Sequence, residues 1–450
     1  MTPPGRKATL AKPGGHGVRN LGAETDIAAR HAADLLGLFG LGPPPLVAAD
    51  HPALAWRRAG LMAVTGRADG PGLVVPVALT QAADGALAAL WAIAPEAALP
   101  ENGALLLGER ARMLGLMRRG AVSANGSCHL LEAADGRIAL NLPRPEDWEC
   151  VPALLGEEAA DWAALARIVA RRSVAALLEQ GRLLGLAIVP DAPVAQPAVP
   201  FGLARLAPPR LREGAPLVVD LSALWAGPLA GALLAAAGAR VVKVESTRRP
   251  DGARFGDAAF YDLLNAGKAS VALDFADAED VRKLRALVRA ADIIIESTRP
   301  RALAGLGIVA EDEVRRGAVW LSITGHGRQG AAADWVGFGD DAAVAGGLAA
   351  AMRAGWGESL FAGDAIADPL TGVTAAFAGW AGWRTGGGWM VSLALSGLVA
   401  HACGLFQAGP GLVRAWQALA EADEAPLYAP RRPMGRAAAM GADNLAVLGE

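Results

Sequence analysis

The sequence predicts an α/β fold, with a Rossmann-like parallel sheet flanked by helices and a smaller α+β domain beside it. Two observations carry that prediction. Beyond residue 216, short apolar runs alternate with helical segments at the spacing of strand–helix–strand units. Ahead of them, residues 189–216 (VPDAPVAQPAVPFGLARLAPPRLREGAP) are rich in proline and lack periodicity, as an extended linker between two units would be.

Each element follows from its local pattern. LVVDLS (217–222) is a short apolar strand, AGPLAGALLAAAG a helix opened by proline, and RVVKVES (240–246) a second strand. KASVALDF (268–275) continues as a strand, DAEDVRKLRALVRAA (276–290) as a helix, and DIIIES (292–297) and AVWLSITG (318–325) as strands. Two stretches approach the length of a membrane span, residues 221–239 and 388–406. The first is interrupted by Gly227 and Pro228, and the second holds His401 and follows a TGGG turn, so both read as buried strand or helix.

Composition bounds the function. The 450 residues supply ample apolar content for real cores, and the net charge of −3, with both signs interspersed, gives no footprint for nucleic acid or an anionic membrane. Cys128, Cys150 and Cys403 are unclustered and odd in number, which suggests neither a disulfide framework nor a zinc site. A cytoplasmic location is expected. The start, MTPPGRKATLAKPGGHG, has basic residues without an apolar core behind them and reads as a disordered beginning rather than a secretory signal.

Ligands of parallel sheets bind where strand ends meet helix starts, so the loops hold the candidate residues. LWAGP, after the first strand, either offers free backbone N–H groups to a ligand or simply makes a tight helix entry. No GxGxxG is present there, although Glu245 ends the second strand where such folds often place a ribose-binding acid. TRRPDGAR adds Arg248, Arg249 and Arg254, and ESTRPRALAGLGI adds Arg299 and Arg301. SITGHGRQG sets His326 and Arg328 among glycines that let a ligand approach the backbone. In FAGDAIADPLTGVTAAFAGWAGW, Asp368 precedes Pro369 and a helix with no further charge until Arg384. Such a carboxylate is either a helix cap or a nucleophile.

Five of these segments, DLSALWAGPLAGALLAAAGARVVKVE, LLNAGKASVALDF, ADIIIESTRPRALAGLG, WLSITGHGRQG and ADPLTGVTAAFAGWAGW, together resemble the class III CoA-transferases, the family of formyl-CoA and carnitine CoA-transferases. SCHLLEAADGRIALNLPRPEDW (127–148) is similar to the family's small domain, and residues 58–95 to the segment that carries the nucleophile. QAADG (81–85) falls against DPLTG (368–372), which sets Gln81 opposite Asp368. The implied organisation is an N-terminal segment over 1–47, a partial first copy of the large domain over 48–105, a small α+β domain over 106–188, the linker 189–216, a Rossmann-like catalytic domain over 217–400 and a C-terminal helix and tail over 401–450.

The resemblance implies transfer of coenzyme A between an acyl-CoA and a small carboxylic acid. Coenzyme A is then a substrate, and neither a cofactor nor a metal is expected. Asp368 becomes the nucleophile, with His326 as a second catalytic residue that could hydrogen-bond the acyl group or steer a proton. Trp225, Ala226, Arg249, Leu264, Asn265, Lys268, Ser297, Thr298, Arg299 and Gly325 become contacts to coenzyme A or substrate, Lys268 meeting a phosphate. Ser297 and Thr298 depart from the family's usual Asn and Phe, and Gly305 from an arginine. A homodimer is implied as well. The alternatives are an acyl-CoA racemase of the same fold, disfavoured by Phe338 where its histidine would stand, a non-catalytic CoA-binding paralogue, and a nicotinamide-dependent dehydrogenase that lacks its glycine fingerprint.

Overall fold

The computed structural model describes residues 26–44, 47, 49–210 and 212–449. The expected disordered start over residues 1–17 lies outside the described residues.

Apolar, β-branched runs build the main sheet. Strands β5 (Leu217–Leu221), β6 (Arg240–Ser246), β7 (Ala269–Leu273), β8 (Ile293–Glu296), β9 (Val319–Thr324) and β10 (Trp389–Ala394) run parallel. Continuous Val/Ile/Leu runs suit strands that are covered on both faces. With β4 (Gly202–Arg205) at one edge, the sheet has the order β4-β10-β9-β8-β5-β6-β7, so successive strands build outward in opposite directions from the β5–β8 boundary. A crevice opens at such a switch point, beyond the carboxyl ends of the strands.

Strand β4 (Gly202–Arg205) corrects the expectation for residues 189–216. It pairs antiparallel with β10 at the sheet's edge, and β3 (Ala187–Pro190) reaches into the same stretch. The prolines around β4 fit an edge position, where a missing N–H breaks no ladder.

A second, antiparallel sheet holds β1 (Cys128–Ala133), β2 (Gly136–Asn141) and β3 in that order. Four short helices between Pro145 and Leu183 complete it around a core that includes Leu131, Ile138, Leu165 and Leu177.

The two candidate spans resolve into strand plus helix: β5 followed by Ala226–Ala236, and β10 followed by Leu395–Leu405. No helix among the described residues is long and apolar enough to cross a membrane.

The helix Ala367–Arg384 lies at the centre of the largest core and is buried on every side. Small residues make that burial feasible. A Cβ on Gly379 would stand 3.0 Å from Leu321 of β9, and one on Gly372 would stand 2.8 Å from the carbonyl oxygen of Ala226. Gly372 therefore fixes a close crossing with the first turn of Ala226–Ala236. On its other side the central helix meets the helix Leu79–Ile93 from the N-terminal part of the chain.

Candidate active site

Asp368 sits one turn before Gly372, so the close crossing sets its carboxylate beside the start of Ala226–Ala236. It is the second residue of its own helix, not the cap. Ile366 occupies the cap position, and no side chain there accepts a capping hydrogen bond. Among the described residues, no hydrogen bond to the Asp368 carboxylate is formed. Ala365, just before the cap, has a φ of 42°, a left-handed conformation rare for a residue with a Cβ.

A cavity of about 720 Å³ opens at the sheet's switch point, and Asp368 is the one acid among its lining residues. The loop after β5 contributes Leu224, Ala226 and Gly227, the loop after β8 contributes Ser297, Thr298 and Arg299, and the loop after β9 contributes Thr324 and Gly325. Arg249 follows β6, and Arg144 comes from the small domain of the same chain. Ala226 and Gly227 open an eleven-residue helix whose first N–H groups have no intrahelical partner, an arrangement that favours developing negative charge.

Behind Asp368 lie three further carboxylates. Asp340 accepts from Asn125 Nδ2 at 2.7 Å and from the Ala365 N–H at 2.8 Å, and Asp341 accepts from Asn141 Nδ2 at 2.8 Å. Asp364 pairs with Arg110 at 3.3 Å. Burial pushes Asp368 up to about 7; Arg110 opposes the rise, and Asp340, Asp341 and Asp364 add to it. Burial likewise lifts Asp341 and Asp364 to about 7. The Arg110 guanidinium also stands 5.2 Å over the Trp225 ring. Asp368 is thus held near its midpoint at neutral pH in a site that needs little reorganisation.

The predicted residues divide into two groups. Asp368, Ala226, Arg249, Ser297, Thr298, Arg299 and Gly325 converge on the cavity. Trp225, Leu264, Asn265, Lys268 and His326 are not among its lining residues. Lys268 donates to Asp220 Oδ2 at 2.9 Å, to the Pro228 carbonyl at 2.8 Å and to Asn265 Oδ1 at 3.1 Å. Its three N–H donors are spent beneath a helix, which corrects the expectation that it meets a phosphate. Asn265 is held in that same network, while Leu264 and Trp225 are buried in the core.

His326 is screened by the backbone. A Cβ on Gly337 would stand 2.8 Å from its Nε2, and the imidazole lies 3.9 Å from Asp341. Burial lowers it to about 4, so it is neutral at physiological pH. Glu245, the candidate ribose acid, is taken by Arg254 and by the Asp251 N–H at 2.9 Å. Arg328 is held by Glu296 and Glu311, and Arg248 by Asp274. Sequence reasoning missed Arg110, Arg144, Asp340, Asp341 and Asp364. The GDD at 339–341 and the GD at 363–364 were visible as strings, but Arg110 joins Asp364 across 254 residues.

Fold and site together define an α/β domain with an unbonded carboxylate lining the cavity at its crevice. Residues 216–408 match the family described as CoA-transferase family III. A succinate–glutarate CoA-transferase of Agrobacterium fabrum is 35% identical over 173 residues, covering 35% of this chain and 43% of that protein. A human succinyl-CoA:glutarate CoA-transferase is 29% identical over 167 residues, covering 35% of this chain and 38% of that protein. The chain thus matches less than half the length of these curated relatives. A CAIB/BAIF family protein of Brucella suis, known as a crystal structure, is 27% identical with a TM-score of 0.37, covering 49% of this chain and 58% of that one.

Proposed function

We propose that this protein transfers coenzyme A from an acyl-CoA thioester to a carboxylic acid, with Asp368 as nucleophile. The observation that carries the reading is the Asp368 carboxylate itself, unbonded, tuned to about 7 and open to the cavity. The Asp368 oxygen attacks the thioester carbonyl carbon, the C–S bond breaks, and an aspartyl anhydride forms as the CoA thiolate leaves. The thiolate then attacks Cγ of Asp368, releasing the first acid and leaving CoA as a thioester on the enzyme. An incoming carboxylate reverses the sequence and departs as the new acyl-CoA.

The chain's own groups suit those steps. Ala226 and Gly227 line the cavity at a helix start, whose N–H groups without intrahelical partners suit a developing oxyanion. Arg249 and Arg299, on loops leaving the sheet, suit the phosphates of coenzyme A. Both named relatives act on short dicarboxylic acids, so succinyl-CoA with glutarate is the first pair to assay. A homodimer is proposed on the same resemblance, and light scattering would read it as twice the chain mass.

Mass spectrometry of the enzyme quenched during turnover tests the mechanism. A CoA adduct on the peptide bearing Asp368 is expected, and it should be absent from Asp368→Ala. Exchange of the α-proton of 2-methylacyl-CoA with solvent deuterium, without acyl transfer, would replace the transferase by a racemase.

A further inference from the structure

We propose that Arg144 selects the acid substrate by binding a second, non-reacting carboxylate at its far end. The inference rests on the transferase reading and names the specificity residue of that same site.

Arg144 is brought to the cavity by the small domain, on the turn that follows β2. Its inner edge is fixed. Nε lies 3.1 Å from both carboxylate oxygens of the buried Asp147, and the Arg144 backbone N–H donates to Asp147 Oδ2 at 2.9 Å. Pro145 opens the short helix that carries Asp147 and sets its direction. The planar guanidinium is therefore held in one orientation with Nη1 left over, and ordering it on binding costs little rotamer entropy.

Its direction is given by what it covers. The guanidinium carbon stands 5.8 Å from the ring centroid of Phe338, which also lines the cavity. The next residue, Gly339, abuts Asp368: a Cβ there would fall 2.3 Å from Asp368 Oδ2. Arg144 and Asp368 thus line one cavity and both adjoin the Phe338–Gly339 segment, Arg144 at the Phe338 ring and Asp368 at Gly339. Arg249 and Arg299 instead come from loops of the main sheet, and Arg301 from the short helix Pro300–Gly305 that follows β8, the end suited to nucleotide phosphates. An acid whose reacting carboxylate meets Asp368 would lay its methylene chain against Phe338 and present a terminal carboxylate to Arg144. A monocarboxylic acid of equal length would leave Nη1 without a carboxylate partner, although Asp147 still holds the other edge of the guanidinium.

The test compares glutarate with valerate, which has the same carbon chain and lacks one carboxylate. Binding of each acid in the presence of saturating coenzyme A is measured by titration calorimetry for the native enzyme, Arg144→Gln and Arg144→Lys. Glutarate should bind the native enzyme at least about tenfold more tightly than valerate, the scale of one charge-assisted contact. The ratio should fall towards one in Arg144→Gln and take an intermediate value in Arg144→Lys, which keeps a cation over Asp147 and guards against a folding defect. A native ratio near one, or a ratio unchanged in Arg144→Gln, overturns the assignment. Trapping of coenzyme A on Asp368 reads the reaction separately. A diacid preference without an adduct would sink the transferase and keep Arg144, whereas an adduct without a preference would do the reverse.

Discussion

The helix pair Ile27–Leu38 with Leu79–Ile93 and the pair Ala226–Ala236 with Ala367–Arg384 cross in the same way and end in opposite chemistry. A Cβ on Gly85 would meet the Ala28 carbonyl oxygen at 2.7 Å and the side chain of His31; one on Gly372 would meet the Ala226 carbonyl oxygen at 2.8 Å and the side chain of Leu229. The glycine touches residues three apart on its partner in each case. One turn earlier the pairs diverge. Gln81 accepts from Thr80 Oγ1 at 2.8 Å and donates to the Asp50 carbonyl at 2.7 Å, fully bonded and buried. Asp368 has no such partners and faces a cavity. The outer faces differ too. Gly379 and Gly382 lie against the sheet, whereas Ala88, Ala92 and Pro95 border an open groove of about 490 Å³. A shared helix crossing therefore does not make a site; an unbonded carboxylate beside a strand-end crevice does.

The largest effect separates the two residues at the matched position. Asp368→Asn should lower the transfer rate by about three orders of magnitude or more, because no other group in the cavity can form the anhydride. Gln81→Ala should leave the rate within about twofold and instead destabilise the fold by about 1–3 kcal/mol, since it removes both hydrogen bonds of a buried amide and leaves a void in its place. Steady-state assays and denaturant titrations read the two outcomes. Equal loss of rate in both variants would erase the distinction.

The paired glycines come next. Gly372→Ala and Gly85→Ala both drive a methyl into a backbone carbonyl, so each should cost about 1–3 kcal/mol of stability. Only Gly372→Ala moves the helix that carries Asp368, and a displacement on the order of 1 Å should cost about a hundredfold in kcat. Thermal melts should therefore treat the variants alike while kcat tells them apart.

The strands were legible because parallel, doubly covered strands read as unbroken apolar runs, as in LVVDLS and DIIIES. Strand β4 was not: GLAR is largely exposed at a sheet edge and carries neither an apolar run nor clean alternation. Asp368 stood out through its isolation on an apolar helix. Lys268 misled because its acceptor Asp220 lies 48 residues away, and a lysine after a glycine looks the same whether it faces phosphate or is buried in an ion pair. His326 misled for a related reason. Its flanking glycines admit the neighbouring backbone at Gly337 rather than a ligand.

A smaller effect concerns the charge that reaches the site from the N-terminal part of the chain. Arg110 lies on the helix Ala104–Leu114, pairs with Asp364 and is the principal influence holding the Asp368 pKa down against burial. A nucleophilic carboxylate must be ionised, so kcat/KM should rise with pH through about 7 in the native enzyme. Arg110→Gln removes the favourable cation and should move that ascending limb to higher pH, with the plateau rate at alkaline pH largely retained. A pH–rate profile with an unmoved limb would show that Arg110 acts only in folding.

The least effect is one of stability, and its sign follows from the direction of the shift. Asp368 is raised from an ordinary value of 3.8 to about 7 in the folded chain. Between those values the folded state keeps a proton that the unfolded state has released, so folding stability falls as pH rises through that window and levels off above it. Asp368→Asn removes the titration and fills the same space. It should melt close to the native protein at pH 4, where both side chains are neutral, and a few degrees above it at pH 8, where the native carboxylate is ionised in a buried site. Gln81→Glu supplies the converse on the first helix pair. It places an acid where the amide now donates to the Asp50 carbonyl, and it should lower the melting temperature at pH 8 more than at pH 4. If Asp368→Asn gave equal shifts at both values, the carboxylate would not be paying for its burial with a displaced pKa, and the contrast between a bonded Gln81 and an unbonded, poised Asp368 would lose its electrostatic half.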